Sequence, residues 1–334
     1  MGEVTGIEWT DHSWSPWRGC QQVSPACDHC YALALDRRYA PRGSAPPGGW
    51  KPGEGPHWGP HAPRVRTAEA SWAKVRGWDR AACRAGARRT VFPSLCDPFD
   101  NAVDPAWRAD FFALMRETPN LVWLLLSKRP GNVVEMAEAA GGLPPNAALG
   151  CTVIDQAEAD RDVPKLLDAK AYLKPLFAFL SIEPMLGAID LTKLRPDGPQ
   201  WIDALRGMTY WWPGAAPIGP AVDWVIAGGE SGPDARPAHP DWFRSLRDQC
   251  AEAGTPFRFK QWGEWAPVDL WNPRPGVRQI AIYRNGREVS DDVAPQDVGG
   301  QRFTMVGKKA AGRLLDGREH NERPAALTRE ADHG

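Results

Sequence analysis

Six short apolar runs, each breaking off into polar residues, do most to limit what this 334-residue chain can fold into. Residues 90–95 run into Cys96 and Asp97, residues 121–126 into Ser127, Lys128 and Arg129, and residues 148–153 end at Asp155. Residues 176–180 lead to Ser181 and Glu183, residues 223–227 to Gly228, Gly229 and Glu230, and residues 256–259 to Lys260, Gln261 and Trp262. A run that is apolar throughout, rather than at alternate positions, fits a strand covered on both faces, as in a parallel sheet. Helical stretches fill several of the gaps. Asp104 is placed to cap one, with Pro105 in its first turn and Trp107, Phe111, Leu114 and Met115 along its apolar side. Another runs from about Asp241 through Trp242, Leu246 and Cys250 to Gly254. Strand then helix, repeated, implies an α/β fold, a complete or partial β/α (TIM-like) barrel, although a flat doubly wound sheet shows the same alternation. In a barrel, function sits at the carboxyl ends of the strands, where these polar clusters fall.

The barrel is expected to occupy residues 1–276. Residues 7–17 lead into or form a first strand, and residues 31–39 have a helical pattern. Residues 41–66 interrupt the barrel with an irregular, Pro- and Gly-rich insertion carrying Trp50, His57, Trp58 and His61. Residues 277–334 read as a C-terminal extension, with a hairpin turning at Asn285 and Gly286 and a basic helix over residues 307–315.

Cys20, Cys27 and Cys30 place three of the seven cysteines within eleven residues. With no secretory signal at the N-terminus, a thiol-dense loop reads as a metal or cluster site before a disulfide framework. A structural zinc needs four ligands, the fourth here being His29, His12, Cys83 or Cys96. An iron-sulfur cubane with only three cysteines keeps one iron open to a substrate or cofactor. Cys83, Cys96, Cys151 and Cys250 are scattered and read as reduced, small hydrophobes.

A formal charge of −1 supplies no global basic field. Locally, Lys74, Arg76, Arg80, Arg84 and Arg88 surround Trp72 and Trp78, a mixture that can hold phosphates and stack bases or simply form a solvated helix face. The seventeen tryptophans are first of all packing residues. No segment approaches the roughly 20 apolar residues that a bilayer-spanning helix needs, so the expectation is a cytoplasmic protein without a membrane partner. Lys128 and Arg129 are candidates to receive a phosphate or carboxylate, or to form surface salt bridges. Glu183 and Lys260, on neighbouring strand ends, are candidate catalytic residues, with a buried ion pair as the other reading.

The wording of several stretches is more specific. Residues 6–11, Trp14 to Pro16, Gly19-Cys20, residues 23–25 and residues 27–32 resemble the opening of the phage-borne three-cysteine-motif family, a domain of unknown function with radical S-adenosylmethionine character. The resemblance continues at residues 183–187, 228–232, 235–237, 259–263 and 307–313. Six residues separate Cys20 from Cys27, where the commonest radical S-adenosylmethionine loop has three. The resemblance implies a 4Fe-4S cluster on Cys20, Cys27 and Cys30, S-adenosylmethionine as cofactor, and an electron donor of flavodoxin or ferredoxin type. It also implies cofactor-binding roles for Gly228, Gly229 and Glu230, since many such enzymes hold the amino group of the cofactor with Gly-Gly-Glu. There the motif follows the second strand and here roughly the sixth, so a structural turn is the other reading of these residues, and Asp97, which ends the first strand after the cysteine loop, is the candidate by position. The expected function is radical chemistry on a nucleotide or DNA base. The alternative is a non-enzymatic nucleic-acid-binding protein whose N-terminal loop is braced by zinc.

Overall fold

The apolar runs form parallel strands. β1 (His12–Ser13), β2 (Arg89–Phe92), β3 (Leu121–Ser127) and β4 (Ala147–Thr152) hydrogen-bond in that order. Every residue of β3 except Leu126 is buried, and all of β4 is, as strands covered on both faces must be. In this computed structural model the described residues are 5–196, 198–211, 213–217, 219–268, 278–288 and 300–328. The chain divides into two units. The first, residues 1–151, 168–178 and 324–334, holds β1 to β4; the second comprises residues 152–167 and 179–323. In the second unit, β5 (Ala178–Ile182), β6 (Trp224–Gly228) and β7 (Phe257–Gln261) are also parallel and adjacent in that order. The architecture is thus mixed α/β with parallel strands.

Helices α1 (Tyr31–Arg38), α2 (Glu69–Arg84), α3 (Pro105–Glu117), α4 (Val133–Ala139), α5 (Gln156–Leu173) and α6 (Pro240–Ala253) lie between the strands in sequence. The caps are those the sequence offers. Asp104 Oδ1 accepts the Ala106 backbone N–H at 2.9 Å, and α6 stops where Gly254 takes the left-handed conformation. No helix among the described residues is long and apolar enough to cross a membrane.

Tryptophan builds the first unit's core. Trp14 meets Trp72 edge-on at 5.2 Å and Phe111 meets Trp123 at 5.1 Å, while the indole N–H groups of Trp14, Trp72 and Trp123 donate to Ser71 Oγ, the Thr67 carbonyl and Thr118 Oγ1. Trp72 and Trp78 are both buried, so the basic segment presents no aromatic platform for bases. Arg66 and Arg76 are paired there with Asp110 and Glu117.

The insertion has two characters. Residues 41–52 are exposed, apart from a half-buried Trp50, whereas Trp58, Gly59 and Arg64 are buried, and Val65–Arg66 form a short antiparallel pair with Trp17–Arg18. In the second unit, Trp201–Asp203, Met208–Trp211 and Gly214–Pro217 make a three-stranded antiparallel sheet, in a stretch for which the sequence reading named no element. Near the C-terminus, β8 (Trp265–Val268), β9 (Gln279–Tyr283) and β10 (Gly300–Met305) form another, in the order β8-β10-β9. The turn at Asn285 and Gly286 is present, closed by Tyr283 N–H to the Arg287 carbonyl at 2.8 Å. The rest of the returning strand lies outside the described residues. The basic helix is shorter than the sequence reading: α7 covers only Lys308–Ala311 because Gly312 turns the chain away with φ +75°.

Candidate functional site

The cysteine loop leaves the carboxyl end of β1 and is held against the segment that leaves the carboxyl end of β2. Gly19 N–H donates to the Leu95 carbonyl at 3.2 Å, and Gly19 pairs with Cys96 in a parallel bridge. A side chain cannot stand at Gly19: φ is +118°, and a Cβ would lie 2.5 Å from the His57 carbonyl oxygen. Cys20 is fixed through its own backbone groups, its N–H donating to the His57 carbonyl at 3.3 Å and its carbonyl accepting from Gly59 N–H at 3.0 Å. The chain then makes a tight turn, Pro25–Cys27, capped by Ser24 Oγ, and Cys30 stands at the N-cap position of α1. Cys20 and Cys30 pack against the same apolar group, Ala32, Leu33 and Trp58.

All three cysteines are free and partly exposed. Burial, reinforced by Asp97, pushes the Cys20 thiol up to about 12, and burial also raises Cys30. Among the described residues no three His, Cys, Asp or Glu side chains are gathered as a bound metal would gather them. Of the residues expected to supply a fourth zinc ligand, His12 stacks on Trp78 at 4.5 Å, Cys83 and His29 are exposed, and Cys96, whose backbone pairs with Gly19, has its thiol pushed up by burial, Asp97 and Cys20. In kind, though not in a gathered arrangement, the donors are those a three-thiolate cluster takes: three free thiols on one loop, at strand carboxyl ends, two of them on a common apolar wall.

Beside this loop the strand ends are tied together by Asp97. Its Oδ1 accepts from Phe99 N–H at 2.9 Å and from Ser127 Oγ at 2.8 Å; its Oδ2 accepts from Lys128 N–H at 3.1 Å and Arg129 Nη1 at 2.8 Å. Both oxygens of this cofactor-binding candidate are thus already used by the protein. Arg129, which the sequence offered as a phosphate receptor, is instead mostly buried. Its Nη2 donates to the Gln21 carbonyl at 2.9 Å and stands 3.8 Å from Asp100 Oδ1. Burial opposes the guanidinium charge, but Asp97, Cys20 and Asp100 outweigh it and hold its pKa above the arginine norm. Asp100 in turn binds Arg64 Nε at 2.6 Å, both side chains 1% exposed, and Arg64 Nη1 holds the carbonyls of Gly59 and Ala62. Asp36 grips the same stretch, 2.6 Å from His57 Nδ1 and accepting His57 N–H at 2.9 Å.

Asp97→Asn would leave Arg129 with only the more distant Asp100 as counter-charge. We expect it to lower unfolding free energy by about 3 kcal/mol. A urea midpoint equal to that of the parent protein would show that this pair carries no such weight.

The second unit gathers its own set at the carboxyl ends of β5, β6 and β7. Lys260 Nζ lies 3.0 Å from Glu183 Oε1, joining the two strands that flank β6. Two features allow this. Gly228, between them, has no side chain, and a Cβ there would lie 2.8 Å from Glu183 Oε1. The register also slips by one residue, Ala227 facing Phe259 and Gly228 facing Gln261, which makes Lys260 a bulge residue. Glu230 is set apart from this pair by its own partner: Arg236 donates Nη2 to Oε1 at 2.6 Å, and both its backbone N–H and Nε to Oε2 at 2.8 Å. Gln261 Nε2 donates to Ser231 Oγ at 2.9 Å.

The sequence candidates therefore fall into two sets. Cys20 and Asp97 meet through Arg129, and Glu183, Gly228 and Lys260 meet directly. Sequence reasoning missed Arg64, Asp100 and the Asp36–His57 pair. The only signal for them was a pair of acids closely spaced after β2, which short-range patterns cannot match to distant arginines. No curated protein and no solved structure matches the chain. Over residues 4–324 it matches the model of one family, and it belongs to that family, described as a protein of unknown function, DUF5131.

Proposed function

We propose that this protein is a radical S-adenosylmethionine enzyme, with Cys20, Cys27 and Cys30 as the three thiolate ligands of a 4Fe-4S cluster. The observation that carries the reading is the trio of free thiols on one loop at the carboxyl end of parallel strands. Three protein ligands leave one iron for the sulfonium cofactor, and the resemblance noted above points the same way. When bound, the cluster and cofactor supply an electron and a 5′-deoxyadenosyl radical able to take a hydrogen atom from substrate.

The chain's own residues would bind and orient. On this reading the parallel strands form a partial β/α barrel, and Glu183 and Lys260 present one acid and one base at its carboxyl end. Their mutual contact holds the two side chains together until a polar substrate group competes for either. Gly228, with no side chain, leaves the space that this pair occupies. The proposed substrate is a nucleotide or DNA base, and the proposed electron donor is of flavodoxin or ferredoxin type.

Anaerobic reconstitution of the full chain tests this. A brown protein containing iron and sulfide, whose visible spectrum changes when S-adenosylmethionine is added, is expected. A colourless protein holding one tightly bound zinc would instead favour a zinc-braced binding protein.

A further inference from the structure

Arg129 makes an unusual set of contacts for a basic residue two positions beyond a strand end. Its Nη1 donates to Cys20 Sγ at 3.6 Å as well as to Asp97 Oδ2 at 2.8 Å, and its Nη2 donates to the carbonyl of Gln21, the next residue along the cysteine loop. The guanidinium plane spans these acceptors at once, which the single ammonium of a lysine cannot do. The side chain is 9% exposed, so the charge acts across a medium poorer in water than the surface.

The three sulfurs are not served alike. Cys30 stands at the N-cap position of α1, where its side chain makes no capping hydrogen bond. Cys20 lies at no helix terminus, and its sulfur and the next carbonyl along the loop both accept from Arg129. Arg129 stands among these groups and is hydrogen-bonded to both Asp97 and the sulfur. A hydrogen bond to a metal-bound sulfur withdraws charge from the metal and makes the centre easier to reduce.

We infer that Arg129 is a positioning residue for the cluster, fixing Cys20 through its sulfur and the Gln21 carbonyl and raising the reduction potential of the iron which that sulfur binds. This rests on the iron-sulfur reading above. The contacts of Arg129 on the loop are the Cys20 sulfur and the Gln21 carbonyl. Asp97, in this arrangement, is the counter-charge that keeps the guanidinium in place.

The test compares reconstituted full-length parent protein with R129K, R129M and the charge-balanced double variant D97N/R129M. Iron and sulfide are counted, and the potential is read by redox titration followed by electron paramagnetic resonance. R129M and D97N/R129M should be harder to reduce, with the reduction equilibrium shifted by about tenfold, and R129K should fall between them and the parent. R116M is the control: Arg116 holds the carbonyls of Gly141 and Gly142, and its loss should leave the potential unchanged. A parental potential in D97N/R129M overturns the inference while leaving the cluster reading intact. Should R129M fail to hold iron, R129K decides, a lowered potential supporting the inference and a parental one refuting it. A parent protein that assembles no cluster refutes both.

Discussion

Alanine at Cys20, Cys27 or Cys30 is expected to lower the iron bound after anaerobic reconstitution by at least about tenfold in each case, with no loss of folded protein. The effect is large because the loop offers no substitute donor. Asp28 and His29 are exposed, and among the described residues no group of three His, Cys, Asp or Glu side chains is gathered for a metal. The fold should survive because the cysteine side chains are only partly buried, and the loop is fastened by its backbone: Gly19 to Leu95, Cys20 to His57 and Gly59, Cys27 to Ser24. Cys250→Ala is the companion measurement. That thiol is buried on α6, where desolvation pushes it up to about 12, and it behaves as a small hydrophobe. Its loss should cost about 1 kcal/mol of stability and leave iron binding unchanged. Equal iron in all four variants would sink the assignment of the cluster to this loop.

What could be read from the sequence, and what could not, follows from the range of the forces involved. An all-apolar run is a local signal of burial on both faces, and residues 121–126 and 223–227 duly became β3 and β6 within a residue or so. The caps at Asp104 and Gly254 are equally local, since the side chain or the positive φ acts within one turn. Arg129 shows where such reading fails. A basic residue after a strand suggests a waiting anion site, but its acceptors, Asp97 and Cys20, lie 32 and 109 residues away in sequence. Nothing nearby announces them. The insertion failed in a similar way: its proline and glycine content foretold irregularity correctly, while the stitching of His57, Gly59 and Arg64 to the cysteine loop and Asp100 depends wholly on distant partners. The Gly-Gly-Glu stretch was visible as a pattern. Its packing role was not, because only the folded chain reveals how closely another backbone passes.

Gly229→Ala is expected to lower unfolding free energy by at least about 3 kcal/mol. A Cβ at Gly229 would lie 1.9 Å from the Trp262 carbonyl oxygen and 2.5 Å from its carbon, and backbone, unlike a long side chain, cannot swing aside. The clash is matched from the other direction: Gly263 has φ +82°, and a Cβ there would lie 2.0 Å from the Glu230 carbonyl oxygen. The two segments are also joined by Gly229 N–H to the Gln261 carbonyl at 2.9 Å and Glu264 N–H to the Glu230 carbonyl at 3.0 Å. Relieving the overlap therefore means parting two backbones that the hydrogen bonds hold together, next to Trp262 and Phe259 in the core of that unit. Gly77→Ala provides the contrast. Gly77 lies inside α2, where an added methyl would meet only Arg80 Nη2, at 3.9 Å, so alanine there should stabilise by about 0.5–1 kcal/mol through helix propensity. Urea denaturation of the two variants side by side separates the explanations. If Gly229→Ala unfolds at the parental midpoint yet no longer changes the cluster spectrum with S-adenosylmethionine, the glycine serves the cofactor and the packing argument is wrong.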